Sequence, residues 1–307
     1  MRIIGKNGRK DLATVYLAEM RDNPGRMVEF VDSCDPAAGG RDKKWVIVVS
    51  SQFGCPVGCL MCDAGGNFKG NLSLSEIRSQ IEHVLSENRD LDPQKCPKLK
   101  IQFARMGEPA LNDAVIDVIH WLADNHPAVL PCIATMAPAG RDKWFESLLN
   151  VSQRFSEMQL QFSMNTTDPE MRDKLIPFPK MSWQWMSDYG QRFYQPGRRR
   201  PSLNFALSPG IPVEADRITN YFDPEIFAIK LTPLNPTATA GENSLQCIKD
   251  HEKAQRLVKE KAREFSALGY QVVESVGNME ENFIGSNCGQ MVRKFTARMP
   301  EYEKAPA

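Results

Sequence analysis

The chain has 307 residues, 42 % of them hydrophobic and 25 % charged, and its 38 basic residues balance 38 acidic ones. That length suits one large α/β domain, or a domain with a small appendage, and no stretch approaches the roughly 20 apolar residues of a membrane-spanning helix. Charge balance argues against a protein that grips nucleic acid mainly through its phosphates, and the basic N-terminus lacks the apolar core of a signal peptide, so a cytoplasmic location and no membrane partner are expected.

Residues 1–44 read as a short leader. TVYLAEM and MVEFVDS alternate as two strands joined at Asp22-Asn23-Pro24-Gly25, and a Pro/Gly-rich loop follows. From residue 45 the pattern changes to strand–helix alternation. WVIVVSS is the continuous apolar run of a buried parallel strand. LSLSEIRSQIEHVLSE is an amphipathic helix, with Ser73 as N-cap and Glu76 closing a capping box. KLKIQFA, AVLPCIATM, MQLQFSM, SLNFALS and IFAIKLT are further strands, with helical patterns around 113–125, 141–153, 169–174, 180–194 and 213–221 between them. A longer helix at 244–268 and a last strand, GYQVVESV, end the pattern. Six βα-type repeats predict an α/β fold, a partial (β/α)6 TIM-like barrel, with a short N-terminal β-extension and a C-terminal helix–strand extension. The expected boundaries are 1–44, 45–240 and 241–307. The stretch 193–202 is expected as an exposed loop; Arg192, Arg198, Arg199 and Arg200 there are either a local basic patch or a solvated turn.

Eight cysteines stand at 34, 55, 59, 62, 96, 132, 247 and 288. Five are scattered. Cys55, Cys59 and Cys62 form C-x3-C-x2-C within SSQFGCPVGCLMCDAGG, directly after the first barrel strand, on the face where barrel enzymes build active sites. Thiolates are soft ligands suited to Zn or Fe–S, and Gly54, Pro56 and Gly58 let one loop wrap a single centre. Structural zinc normally takes four ligands, often as two pairs, and no second pair lies nearby. Three thiolates instead leave one position of a [4Fe–4S] cluster open. His83, His120, His126 and His251 fall at no zinc spacing and receive no chemistry.

The spacing and placement resemble the radical S-adenosylmethionine (SAM) superfamily. SSQFGCPVGCLMC, RMGEPALN, TPLNP and NCGQM resemble, in that order, four motifs of its RlmN/Cfr family over roughly residues 45–295. That family methylates adenine in large-subunit ribosomal RNA and, in some members, transfer RNA. The resemblance implies a methyltransferase-like enzyme with a [4Fe–4S] cluster, SAM and a flavodoxin- or ferredoxin-type electron donor. Its substrate would be a small molecule or an RNA. It further implies that Gly107, Glu108 and Pro109 form a SAM-binding turn, with Glu108 accepting from the SAM amino group. Ser163 and Asn235 would hydrogen-bond SAM, and Met61 would pack on its adenine. Cys288 would be the methyl carrier, first methylated by one SAM and then giving up hydrogen to a radical made from another.

Three family positions differ. The second cysteine, which releases product, corresponds to Val48; the glutamate base corresponds to Ala13; and the histidine of S-L-H-A corresponds to Asn165 in Ser163-Met164-Asn165-Thr166. Valine cannot attack sulfur and alanine cannot take a proton. Cys34, Cys96, Cys132 and Cys247 are possible substitutes; Cys132 sits on the third strand, a few residues from its active-site end, where core packing is the more expected role. The family's helical N-terminal accessory domain has no counterpart in residues 1–44. One alternative is a radical SAM enzyme that uses the 5′-deoxyadenosyl radical directly, for hydrogen abstraction or rearrangement. The other is a non-catalytic RNA-binding or assembly protein.

Overall fold

A computed structural model describes residues 1–20, 26–278, 280–287 and 291–296. The expected turn at 22–25 and Cys288 therefore lie outside the described residues. Among the described residues ten strands form one sheet: β1 (Arg2–Arg9), β2 (Ala13–Glu19), β3 (Met27–Cys34), β4 (Trp45–Val49), β7 (Leu99–Phe103), β8 (Leu130–Thr135), β9 (Gln159–Ser163), β10 (Ser202–Leu207), β11 (Ala228–Pro233) and β12 (Gln271–Glu274), in that spatial order. β1 to β4 pair antiparallel, and every pairing from β4 to β12 is parallel. A separate hairpin, β5 (Gln52–Cys55) with β6 (Gly66–Asn71), brackets the cysteine loop.

The partial barrel is borne out. All seven expected parallel strands form, and residues from β3 round to β12 line one cavity, so the sheet curls without closing. Strand alternation sets what faces where. On β7, Leu99, Ile101 and Phe103 are buried, while Lys100 and Gln102 point into the cavity. The outward residues form the core together with Trp45, Ile47, Phe162, Phe205 and Ile229, under helices that return between strands. These are α1 (Leu74–Glu87), α2 (Ala114–Asn125), α3 (Asp142–Ser152), α4 (Pro169–Leu175), α5 (Trp183–Phe193), α6 (Ala215–Thr219) and α8 (His251–Ala267). Ser73 and Glu76 make the expected capping box on α1. Short helices α7 (Ala238–Glu242), α9 (Glu280–Ile284) and α10 (Met291–Thr296) lie in the C-terminal third. Among the described residues no helix is long and apolar enough to cross a membrane.

Two local expectations need correction, and one open alternative is narrowed. Residues 2–9 form a strand: they are largely exposed, and β2 supplies the partner that their own pattern does not announce. The long C-terminal helix starts at His251 rather than 244, because Asp250 caps it by accepting from the Lys253 amide at 2.8 Å. The arginines of 192–200 are mostly paired: Arg192 with Glu146, Arg199 with Glu157 and Arg200 with Glu225. These pairs leave little free charge for a basic patch.

Candidate metal centre and active site

The chain leaves β4 as Ser50-Ser51-Gln52 and is latched at once to the loop after β7. The Met106 amide donates to Ser50 Oγ at 3.1 Å, and the Ser51 amide donates to the Met106 carbonyl at 2.8 Å. The Glu108 amide donates to Gln52 Oε1 at 2.9 Å, and Asn112 Nδ2 donates to the Ser51 carbonyl at 2.7 Å. Gly107 has φ 101°, and a Cβ there would lie 2.6 Å from the Gln52 side chain and 2.7 Å from Ser51 Oγ. SSQ and MGEP-x-LN, read as separate motifs in sequence, are therefore one hydrogen-bonded unit at the C-terminal ends of two adjacent strands.

Cys55, Cys59 and Cys62 follow on the hairpin loop, each partly sheltered. Gly54 (φ 74°) is required there, since a Cβ would meet the carbonyls of Gly66 and Asn67 at 2.7 and 2.6 Å. Val57, Met136, Leu175 and Ile176 form a small apolar cluster against which Cys55, Cys59 and Met61 pack. Burial pushes the Cys55 thiol up to about 12, against backbone amides of Val57 and Gly58 that favour its thiolate. Burial raises Cys59 well above its ordinary value, and Cys62 and Cys55 add to the rise. Cys55 and Cys59, in these apolar surroundings, resist ionising on their own; a bound metal centre would supply the positive charge that deprotonates a ligating thiol. Among the described residues no three His, Cys, Asp or Glu side chains are already drawn to metal-binding distance. What matches an iron–sulfur centre here is the donor set, the loop glycines and the dry surroundings.

Glu108 is buried, and burial pushes its pKa up to about 7 despite three donors. Oε1 accepts from Thr135 Oγ1 (2.5 Å) and the Ala110 amide (3.0 Å); Oε2 accepts from the Met136 amide (2.9 Å). It thus ties the end of β7 to the end of β8, with Pro109 opening the short turn beyond it and roughly one acceptor position left for a ligand. Met61 lies at the same end: its carbonyl accepts from Thr237 Oγ1 at 2.8 Å, and its sulfur lies 4.0 Å from Asn165 Nδ2. Ser163 ends β9, its carbonyl accepting from Arg172 at 3.2 Å. Asn235 lines the cavity beyond β11, and Cys247 Sγ donates to its carbonyl at 3.4 Å. The structure thus brings Met61, Gly107, Glu108, Pro109, Ser163 and Asn235 to the strand ends around the three cysteines. Cys288 lies outside the described residues. The segments flanking it are anchored: Arg105 donates to the carbonyls of Ser286 and Asn287, and Arg293 reaches Asp63, next to Cys62, at 3.1 Å.

No model of a protein family matches the chain. It is 30 % identical over 190 residues to the dual-specificity RNA methyltransferase RlmN of Aliarcobacter butzleri, covering 59 % of this chain and 51 % of that one. It is 25 % identical over 261 residues to the ribosomal RNA large subunit methyltransferase Cfr of Shouchella clausii, covering 81 % and 69 %. The RlmN of Syntrophobacter fumaroxidans is 26 % identical over 302 residues, covering 96 % of this chain and 81 % of that one. The chain is a relative of the RlmN/Cfr radical SAM methyltransferases. It spans only about half the length of the A. butzleri relative. The fold is shared with a radical SAM methyltransferase of Sphaerobacter thermophilus, with a TM-score of 0.69 at 18 % identity over 94 % of this chain and 80 % of that one.

Of the positions where this RlmN/Cfr relative departs from the family motifs, Val48 faces the cavity, paired with Val31 and Gln102, and Ala13 is buried. Cys247 contacts Asn235, one of the expected SAM residues, whereas Cys132 is buried on β8 with Sγ 3.8 Å from Gln159. Sequence reasoning passed over Arg172. It is 3 % exposed, donates to the Met136 and Ser163 carbonyls, makes no ion pair among the described residues and leaves Nε without a partner. Burial lowers its pKa to about 10, while Asp173 and Cys59 pull the other way. Its position in an ordinary helical stretch carries no signal in sequence.

Proposed function

We propose that this chain is a radical SAM enzyme performing carbon methylation, or another one-carbon transfer, through Cys288. Cys55, Cys59 and Cys62 hold a [4Fe–4S] cluster, and Glu108, Ser163 and Asn235 orient SAM. Met61, packed in the apolar cluster beside two of the cysteines, offers a polarizable surface to its adenine. When bound, the cluster and SAM supply an electron and a cleavable carbon–sulfur bond, the source of a 5′-deoxyadenosyl radical. The protein's own contribution is to hold and dry the site. The Ser50–Gln52 latch sets the loop against the Glu108 turn, and Val57, Met136, Leu175 and Ile176 exclude water from the thiols. Arg172 places a cation near Cys59, which suits a centre that gathers thiolate charge.

The observation carrying this reading is the union of the cysteine loop and the MGEP turn in one buried hydrogen-bonded unit at the C-terminal strand ends. Electrons would come from a flavodoxin- or ferredoxin-type donor. The test is mass spectrometry of the peptide containing Cys288, from protein purified without oxygen. An added methylene supports the carrier role; an unmodified cysteine after incubation with SAM and reductant removes it.

A second reading, direct hydrogen abstraction without a carrier, is favoured by Val48. The position of the product-releasing cysteine faces the cavity and bears no nucleophile. Under that reading 5′-deoxyadenosine accumulates with substrate, while no label from methyl-labelled SAM enters product.

A further inference from the structure

The sheet curls without closing, and α10 spans its two sides at the cysteine end. On one side Met291 packs against Leu12, Ala13, Val15 and Val31, which seats α10 on β2 and β3. The Val292 amide donates there to Glu29 Oε2 at 3.0 Å, and the Glu29 carbonyl accepts from Ser50 Oγ at the end of β4. On the other side Arg293 reaches the segment that leaves β11. Its Nη1 donates to Thr239 Oγ1 at 2.5 Å, and its Nη2 pairs with Glu242 of α7. The same Nη1 donates to Asp63 Oδ1 at 3.1 Å, and Asp63 is the residue after Cys62.

Asp63 is the member that these parts share. Its side chain is 5 % exposed. Oδ1 accepts from the Thr239 amide and hydroxyl, both at 2.8 Å, and Oδ2 accepts from the Ala238 amide at 3.4 Å. The loop residues just before it are tied to the same segment. Thr237 Oγ1 donates to the Met61 carbonyl at 2.8 Å, and Asn243 Nδ2 donates to the Leu60 carbonyl at 3.1 Å. One sheltered carboxylate therefore joins the cysteine loop, the segment that follows Asn235 and the C-terminal helix. A carboxylate with a charged donor and several neutral ones, screened from water, is held more firmly than an exposed ion pair. Backbone continuity does the rest: one peptide bond separates Asp63 from Cys62, so whatever fixes the thiol fixes the carboxylate.

We propose that Asp63 is a positioning residue that couples the cysteine loop to α10, so that holding Cys62 on a metal centre fastens α10 and releasing it loosens α10. That Cys62 holds such a centre rests on the radical SAM reading; the tie through Asp63 does not. Asp63 acts through Cys62 and Arg293. The coupling is reciprocal, so a change that frees α10 also loosens residues 60–63. Its consequence is a strap that tightens across the strand ends when the centre is in place, which is when exclusion of water matters.

The test follows hydrogen–deuterium exchange by mass spectrometry in the full chain, iron-free and after anaerobic reconstitution with iron and sulfide. Wild type is compared with Asp63→Asn, Arg293→Gln and Arg293→Lys. Loading should slow exchange of the 291–296 amides about tenfold in wild type, and Asp63→Asn and Arg293→Gln should abolish that slowing. Arg293→Gln should also speed exchange at residues 60–63, and Arg293→Lys should restore part of both effects. The Tm of iron-free Arg293→Gln should stay within about 3 °C of wild type, because its side chain is 36 % exposed and stands outside the loop. That variant decides the matter if Asp63→Asn does not fold. The proposal is overturned if loading leaves α10 exchange unchanged, if Arg293→Gln keeps the slowing, or if residues 60–63 do not respond to Arg293→Gln. A wild type that takes up no iron sinks the radical SAM reading instead. The iron-free proteins then decide the tie: Asp63→Asn and Arg293→Gln must exchange α10 faster than wild type, and equal rates overturn it.

Discussion

Arg105 holds the C-terminal segment to the barrel, so replacing it is the sharpest test of how the two are joined. Its guanidinium lies 2.5 Å from Glu29 Oε1, with the side chains 2 % and 0 % exposed. It also donates to the carbonyls of Gly285, Ser286 and Asn287 at 2.5, 3.0 and 3.0 Å, while Glu29 Oε2 accepts from the Val292 amide at 3.0 Å. The pair therefore grips the chain on both sides of residues 288–290. Arg105→Met strands a buried carboxylate, a loss of about 3–5 kcal/mol, or a fall in Tm of about 10 °C for a chain of this size. Water can reach the three carbonyls if the segment lifts, so proteolysis should cut first within the last 30 or so residues. Glu29→Met with Arg105→Met removes both charges and should recover much of the loss, because an apolar pair of similar volume replaces a buried ion pair at little cost. Thermal unfolding and timed proteolysis of the three proteins measure this. A loss under about 1 kcal/mol for Arg105→Met, or a double variant no better than the single, refutes the reasoning.

Gly107→Ala should cost about 2–4 kcal/mol in urea unfolding and impair iron loading, since a Cβ at φ 101° would collide with Gln52 and Ser51. Glu108 gives the iron-free protein a pH signature. Its folded pKa, raised to about 7, lies above the unfolded value, so its contribution is complete below about pH 4.5 and is lost as pH rises through 7. Wild type should therefore lose about 3 kcal/mol relative to Glu108→Gln across that window in parallel melts; parallel curves would contradict it. Arg172→Met should leave iron content unchanged and move the midpoint potential of the reconstituted centre to more negative values, because a cation near Cys59 favours the reduced form. Redox titration followed by electron paramagnetic resonance reads that shift.

Much of the site was legible because its signals are local. The three cysteines lie within eight residues, and the loop glycines that wrap them stand among them. Glu108 and Asn235 were found through short motifs. Arg172 and the Asp63–Arg293 tie were not, since each gains its meaning from a partner distant in sequence, Cys59 for Arg172 and Arg293 for Asp63; Cys247, one of several spare cysteines in the sequence, is singled out by its contact with the Asn235 carbonyl.

By itself the sequence determined the strand–helix order, the capped start of α1 and the open-barrel class. Hydrophobic period and capping are properties of neighbouring residues, and they survive without knowledge of what packs where. Tertiary structure alone decided three things. β1 exists because β2 offers it an edge, not because its own exposed residues demand a strand. Glu29 and Arg105 are a clamp because the sheet brings β3 and the end of β7 together around one buried position. Lys100 and Lys230, each a polar interruption in an apolar run, become facing cations because the sheet curls and aims alternate side chains inward. Alternation foretells that a residue faces away from the helices; only curvature decides what it faces instead.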